Sequence, residues 1–133
     1  MSKVEQTLSL IKPDAVERNL EEEIKQFFIK SGFKITKQKK VKLEKKDAEI
    51  FYKVHETKPF YNDLCNYLSS GPIVAMILEK VDAVSENRKV MGATDPTKAD
   101  EGTIRKKYGI SIDKNSVHGS DSVENANKEI HFF

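Results

Sequence analysis

The sequence carries a single cysteine, Cys65, six glycines, four prolines and three arginines, and it has no long apolar run. Each shortage excludes something. One thiol can build neither an internal disulfide nor a structural zinc site, which sets aside the oxidative scaffolds and fits a reducing compartment. No two of the glycines at 32, 71, 92, 102, 109 and 119 stand two or five positions apart, so neither a G-x-G-x-x-G fingerprint nor a P-loop exists. The three histidines lack the i,i+4 or cysteine-paired spacing of a zinc site. The longest wholly apolar run, Ile73 to Leu78, falls far short of the roughly 20 residues that cross a bilayer. The start Met1-Ser2-Lys3-Val4-Glu5 has no apolar signal core, so a cytoplasmic protein away from membranes is expected. Charge of one sign is lacking too: 23 basic residues against 21 acidic ones leave +2, too balanced for a nucleic-acid-coating protein.

What is present reads as one folded domain over residues 1–133, with 38% hydrophobic residues spread along the chain. Val4 to Ile11 predicts a strand that stops at Lys12-Pro13-Asp14, because proline holds its predecessor extended. Leu20, Ile24, Phe27 and Phe28 form a helical stripe, predicting a helix from about Ala15 to Ser31 ended by Gly32. Alternation over Phe33 to Leu43 predicts a second strand with lysines on its wet face. Lys45 to His55 and Pro59 to Ser69 read as a helical hairpin, the second helix opened by its proline. Ile73 to Leu78 reads as a central strand, followed by a helix capped by Asp82 and running to Val90. Gly92 to Asn115 shows no sustained period and reads as a long loop, a feature that in compact domains is functional or disordered. Val117 to Gly119 fits a last strand, and Asp121 with Glu124 fits a capping box for a final helix carrying Val123, Ala126 and Ile130. The order implies an α/β or α+β chain with helices packed on one sheet.

The densest constellation is Asn115-Ser116-Val117-His118-Gly119-Ser120-Asp121-Ser122. An imidazole at a strand end, before a glycine and short polar side chains that open a helix, lies beside backbone N–H groups able to hold an anion. Neutral imidazole, the majority form near pH 7 from an ordinary pKa of about 6.5, can attack phosphorus directly. The same residues also fit a structural turn with an N-cap. Arg88, Thr94 and Arg105 lie around the long loop and Lys12 at the mouth of the first strand, where they can hold a polyphosphate or stand as solvated charges. Tyr52 and Phe60 on the hairpin can stack on a base or belong to the core. Cys65, beside Leu64 and Leu68, and His131 read as packing residues, and His55 as solvated.

Five segments together resemble the nucleoside diphosphate kinases, in order and at family spacing. They are Thr7 to Val16 with Lys12-Pro13-Asp14, Ser70 to Met76, Gly92-Ala93-Thr94-Asp95-Pro96, Gly102-Thr103-Ile104-Arg105 and Asn115 to Ser122. The resemblance covers essentially the whole chain. It implies an α+β sandwich, the ferredoxin-like βαββαβ fold, with a four-stranded antiparallel sheet, helices packed on it and a long loop near residues 92–115. It implies ping-pong transfer of a γ-phosphoryl group from a nucleoside triphosphate to His118, as a pros-phosphohistidine, and then to a diphosphate. By the same resemblance Lys12 and Asn115 would bond the sugar hydroxyls, with Lys12 also near the moving phosphoryl group. Tyr52, Arg88, Thr94 and Arg105 would bind phosphates, Phe60 would stack on the base, and Leu64 and Ile112 would line its slot. Glu129 would orient His118, with Ser120 nearby. Mg²⁺ would arrive on the nucleotide phosphates instead of on protein ligands, and the chain would form a homotetramer or homohexamer.

Departures from the family pattern are Lys58 in place of arginine, Lys106-Lys107 in place of Gly-Asp, Lys114 in place of arginine, and Glu21-Glu22-Glu23 at a helix start. None falls on an implied catalytic position. A different class remains, a catalytically idle module that binds nucleic acid or protein through Lys34 to Lys46; retention of every implied site residue argues against it, and nucleic acid is not an expected partner.

Overall fold

The computed structural model describes residues 4–112 and 114–133, so the first three residues of the start and position 113 of the long segment lie outside it. Four strands, β1 (Val4–Ile11), β2 (Lys34–Val41), β3 (Ile73–Val81) and β4 (Val117–Gly119), form one sheet in the order β2-β3-β1-β4. Every pairing is antiparallel. β1 runs against β3 from Val4 opposite Val81 to Ile11 opposite Val74, and against β4 with Leu10 opposite His118. β2 pairs with β3 through an irregularity between Ile35 and Lys37, where the Thr36 hydroxyl donates to the Ile77 carbonyl.

Seven α-helices among the described residues cover both faces: α1 (Pro13–Glu17), α2 (Glu21–Lys30), α3 (Lys45–Phe51), α4 (Tyr61–Leu68), α5 (Ala83–Met91), α6 (Ile104–Tyr108) and α7 (Val123–Phe132). The strand period explains the two layers, since successive side chains point to opposite faces. Ile11, Val74, Met76, Leu78 and Val117 meet Ala15, Ile24, Phe28, Met91 and Ile104 on one side. Leu8, Leu10, Ile73 and Ala75 meet Ala48, Tyr52, Cys65 and Leu68 on the other. The central strand therefore reads as a continuous apolar run because neither of its faces is wet.

Several boundaries differ from those the sequence predicts. The single helix expected over Ala15 to Ser31 is broken at Arg18–Leu20, where Asn19 takes φ +60°, a left-handed conformation that asparagine tolerates better than most residues. β3 runs on to Val81, and the helix after it begins at Ala83 with Asp82 at the N-cap position, but Asp82 makes no side-chain cap and itself has φ +55°. Pro59 lies before α4 instead of in its first turn. The segment expected to be a long loop contains a 3₁₀ turn at Pro96–Lys98, tied by the Asp95 side chain to the Thr97 N–H, and the short helix α6, capped by Thr103. Elements of this length carry too few turns to show a period. The cap of α7 is Ser122, whose Oγ accepts from the Asn125 N–H, while Asp121 accepts from the Asn125 side chain instead of forming a box with Glu124.

Candidate active site

β4 presents His118 toward the α3 and α7 layer, because Val117 and Gly119 on either side of it face α5. Gly119 suits this place: a Cβ there would come within 2.3 Å of the Asn87 Nδ2 and 2.7 Å of the Met91 Cε, so a larger residue would have to displace both side-chain ends of α5 beneath the strand. From α7 the Glu129 carboxylate reaches His118, with Oε1 at 2.7 Å from Nε2, and the Ser120 hydroxyl donates to the same oxygen at 3.2 Å. A carboxylate has no proton to give, so the imidazole donates from Nε2 and keeps its lone pair on Nδ1. Rings fix the orientation from the other side. Phe51 stands 5.3 Å from the imidazole at 72° and Tyr52 6.2 Å at 83°, both edge-on, and Phe51 is itself held by Phe132 and Phe133.

Lys12, at the end of β1, is buried and its Nζ donates to the Asn115 Oδ1 at 2.9 Å; the Asn115 amide donates in turn to the Thr94 carbonyl at 3.1 Å. Arg105 on α6 is buried. Its guanidinium donates to the Gly92 carbonyl at 3.0 Å and to the Val117 carbonyl at 2.9 Å, and its Nε has no partner among the described residues. Burial, with the Arg88 charge added, lowers its pKa to about 10, so it remains a cation at neutral pH. Gly92 at φ +88° turns the chain out of α5, and a Cβ there would meet Thr103 at 2.6 Å. Arg88, Thr94 and Arg105 line a cavity of about 390 Å³ together with Lys89, Lys98 and Asp100. Four cationic side chains against one carboxylate make it a site for an anion of several charges.

Tyr52 is buried, and burial first, then the charge of Glu129, raises its pKa. Phe60 is exposed, its ring 5.8 Å from His55, which is half-buried between Tyr52 and Phe60 instead of free in solvent. Leu64 packs on the α3 and α4 core and Ile112 is exposed. Cys65 is fully buried, whereas His131, read from the sequence as a packing residue, is exposed with its Nδ1 against the Asn127 carbonyl. Of the N–H groups that follow His118, that of Ser120 donates to the Leu8 carbonyl. Sequence reasoning passed over Phe51, whose contact with His118 no local spacing signals, and the carbonyls of Gly92 and Val117, which no side-chain pattern signals. No group of three or more His, Cys, Asp or Glu able to hold a metal ion occurs among the described residues, and no helix there is long and apolar enough to cross a membrane.

A family model described as nucleoside diphosphate kinase matches residues 5–133. A nucleoside diphosphate kinase of Persephonella marina is 55% identical over 130 residues, covering 98% of this chain and 93% of its own. One from Nitratiruptor is 54% identical over 130 residues, covering 98% and 95%. Among solved structures, the Aquifex aeolicus nucleoside diphosphate kinase superposes with a TM-score of 0.95 at 40% identity over 98% of this chain and 94% of that one. The Encephalitozoon cuniculi nucleoside diphosphate kinase gives 0.94 at 41% identity, over 97% and 88%. With family model, sequence relatives and fold in agreement along its length, the chain belongs to the nucleoside diphosphate kinase family.

Proposed function

We propose that this chain moves the γ-phosphoryl group of a nucleoside triphosphate onto His118 Nδ1 and from there onto a nucleoside diphosphate. The chain is a nucleoside diphosphate kinase, and the observation that carries this route is the 2.7 Å contact of Glu129 with Nε2, which leaves Nδ1 as the nucleophile. The Nδ1 lone pair forms the N–P bond while the bond from phosphorus to the β-phosphate oxygen breaks, and the diphosphate leaves with that electron pair. Positive charge developing on the imidazole is balanced by Glu129. An incoming diphosphate attacks in the reverse sense and regenerates neutral His118.

Such a transfer asks the protein for position and charge more than for covalent chemistry. Arg88, Thr94 and Arg105 bind the phosphates in the cavity they line, Tyr52 supports that end, and Lys12 with Asn115 bonds the sugar hydroxyls, Lys12 also facing the phosphoryl in transit. Phe60, which is exposed, stacks on the base, and Leu64 and Ile112 line its slot. Stacking reads no base edge, so purines and pyrimidines are both accepted. The carboxylate-poor cavity suits Mg²⁺ that enters as part of the nucleotide substrate, neutralising its phosphates. We further assign the chain to the cytoplasm, as a single domain working in a homotetramer or homohexamer.

The test is to mix the protein with Mg²⁺ and γ-labelled GTP without acceptor. An acid-labile, base-stable label that is absent from His118→Ala and chases onto CDP is expected. Folded protein that takes no label would overturn the kinase route and leave a binding module.

A further inference from the structure

Beneath the site lies a polar cluster that the reaction as described does not use, with Asp14 and Ser116 buried at its centre, Tyr67 half-buried and Arg18 exposed at its rim. Asp14, on α1, is 5% exposed, and its carboxylate collects three groups from distant parts of the chain. The Tyr67 hydroxyl of α4 donates to Oδ1 while accepting from the Asp14 backbone N–H at 2.9 Å. The Ser116 hydroxyl donates to Oδ2 at 3.3 Å. Arg18 donates to Oδ2 at 3.3 Å, to the Ser116 Oγ at 3.3 Å and to the Tyr108 carbonyl at 2.6 Å, and its Nε to the Asp14 carbonyl at 3.1 Å. The Ser116 carbonyl accepts from the Lys12 N–H at 2.8 Å.

The segments joined here are those that carry the site. Lys12 stands two residues before Asp14, Asn115 directly before Ser116, His118 two residues after it, and Tyr108 ends the helix bearing Arg105. Ser116 is also held at φ +74°, a left-handed conformation that a side-chain-bearing residue adopts only under strain. Such strain persists only where surrounding bonds over-determine it. The bonds that do so are those of Asp14 and Arg18 to the Ser116 hydroxyl and of Lys12 to its carbonyl.

We propose that Asp14, with Tyr67 and Arg18, is a positioning residue for phosphoryl transfer: it clamps Ser116 in its strained conformation and so sets the Lys12–Asn115 pair against the nucleotide. None of the four touches the reacting atoms. The inference rests on the kinase reading above, and its consequence is larger for nucleotide donors. His118 is oriented separately, by Glu129, Phe51 and Tyr52, so a donor without a sugar feels the clamp only through Lys12 at the moving phosphoryl group.

Asp14→Asn removes charge from the centre of a buried cluster and risks the fold, so milder variants carry the test. Ser116→Ala and Tyr67→Phe are compared with the unaltered protein for the rate of His118 labelling by Mg²⁺-GTP and by phosphoramidate. Misplacement by an ångström can cost about a hundredfold; labelling from GTP is expected to fall about tenfold or more, and labelling from phosphoramidate, which loses only the Lys12 contact, to fall severalfold less. Ser116→Gly, which takes a positive φ without strain, is expected to recover part of the GTP rate lost in Ser116→Ala, and a glycine variant as slow as the alanine one overturns the clamp as the cause. Equal slowing with both donors reduces the cluster to general structural support and overturns the inference, as do GTP rates at the unaltered level in Ser116→Ala and Tyr67→Phe. Absence of label on the unaltered protein overturns the kinase reading itself, and the positioning role with it.

Discussion

Arg88 and Arg105 line the same cavity on different footings. Arg88 is exposed on α5, whereas Arg105 is 7% exposed and hydrogen-bonded to two backbone carbonyls. Removing either cation from a site of developing phosphate charge is expected to cost about 3 kcal/mol of transition-state stabilisation, on the scale of losing one preorganised donor elsewhere. The two substitutions separate in stability. Arg88→Ala leaves no buried group unpaired and should melt within a degree or two of the unaltered protein. Arg105→Ala strips the Gly92 and Val117 carbonyls of their donor and opens a void under the cavity, so its melting temperature falls as well. Steady-state kcat/KM with thermal melts checks both, and near-normal turnover in Arg105→Ala would remove that residue from the site. At this scale the sequence was informative where chemistry sits in contiguous motifs, as in Lys12-Pro13-Asp14 or the run from Asn115 to Ser122. It was silent where a residue's importance comes from a partner far along the chain. Asp14 meets Tyr67 and Ser116, and Phe51 meets His118, across separations that no local spacing encodes.

Among the elements, long ones with an apolar period were legible and short ones were not. β1 and β3 stand where the apolar and β-branched residues placed them, since burial on both faces leaves little choice of residue. The break between α1 and α2 hinged on one asparagine, and α6 is five residues long, about a turn and a half. Packing, not propensity, holds such pieces, so their signal lies in the partner they meet. The contact of α5 with β4 shows how narrow that fit is. At Gly119 an added methyl would overlap the side-chain ends of Asn87 and Met91, both of them buried, so both would have to shift. Gly119→Ala is therefore expected to lose roughly 1–3 kcal/mol of stability, the range for overpacking a filled interior, read as a lower urea midpoint with an unchanged slope. Because β4 also carries His118, labelling of the variant by GTP should drop even where it remains folded. A Gly119→Ala protein as stable and active as the original would show that α5 can shift away from the strand.

For the whole molecule, the two helical layers are joined not only through the sheet but also around its end, where Tyr67 from the α4 layer reaches Asp14 in the α1 layer. This makes alkaline stability depend on tyrosines. Burial raises the Tyr67 pKa, and its hydrogen bond to Asp14 adds to the rise; burial and then the Glu129 charge do the same at Tyr52. In the unfolded chain both phenols release their protons near pH 10, whereas the folded protein holds them to higher pH. Above about pH 10 the unfolded state thus binds fewer protons than the folded one, and stability falls as pH rises. Arg105 works in the opposite direction. Its folded pKa of about 10 means that the folded protein sheds this proton first, a contribution that grows more favourable with pH. These two phenols, with Tyr61, Tyr108 and Cys65 raised in the same direction by burial, outweigh one guanidinium, so the urea midpoint should decline between about pH 9 and about pH 11. Tyr67→Phe removes one of these phenols and should flatten that decline while lowering the midpoint at neutral pH, where the Asp14 carboxylate loses a donor. An equally steep decline in Tyr67→Phe would place the alkaline sensitivity elsewhere in the molecule and remove the Asp14–Tyr67 contact as the tie between the layers.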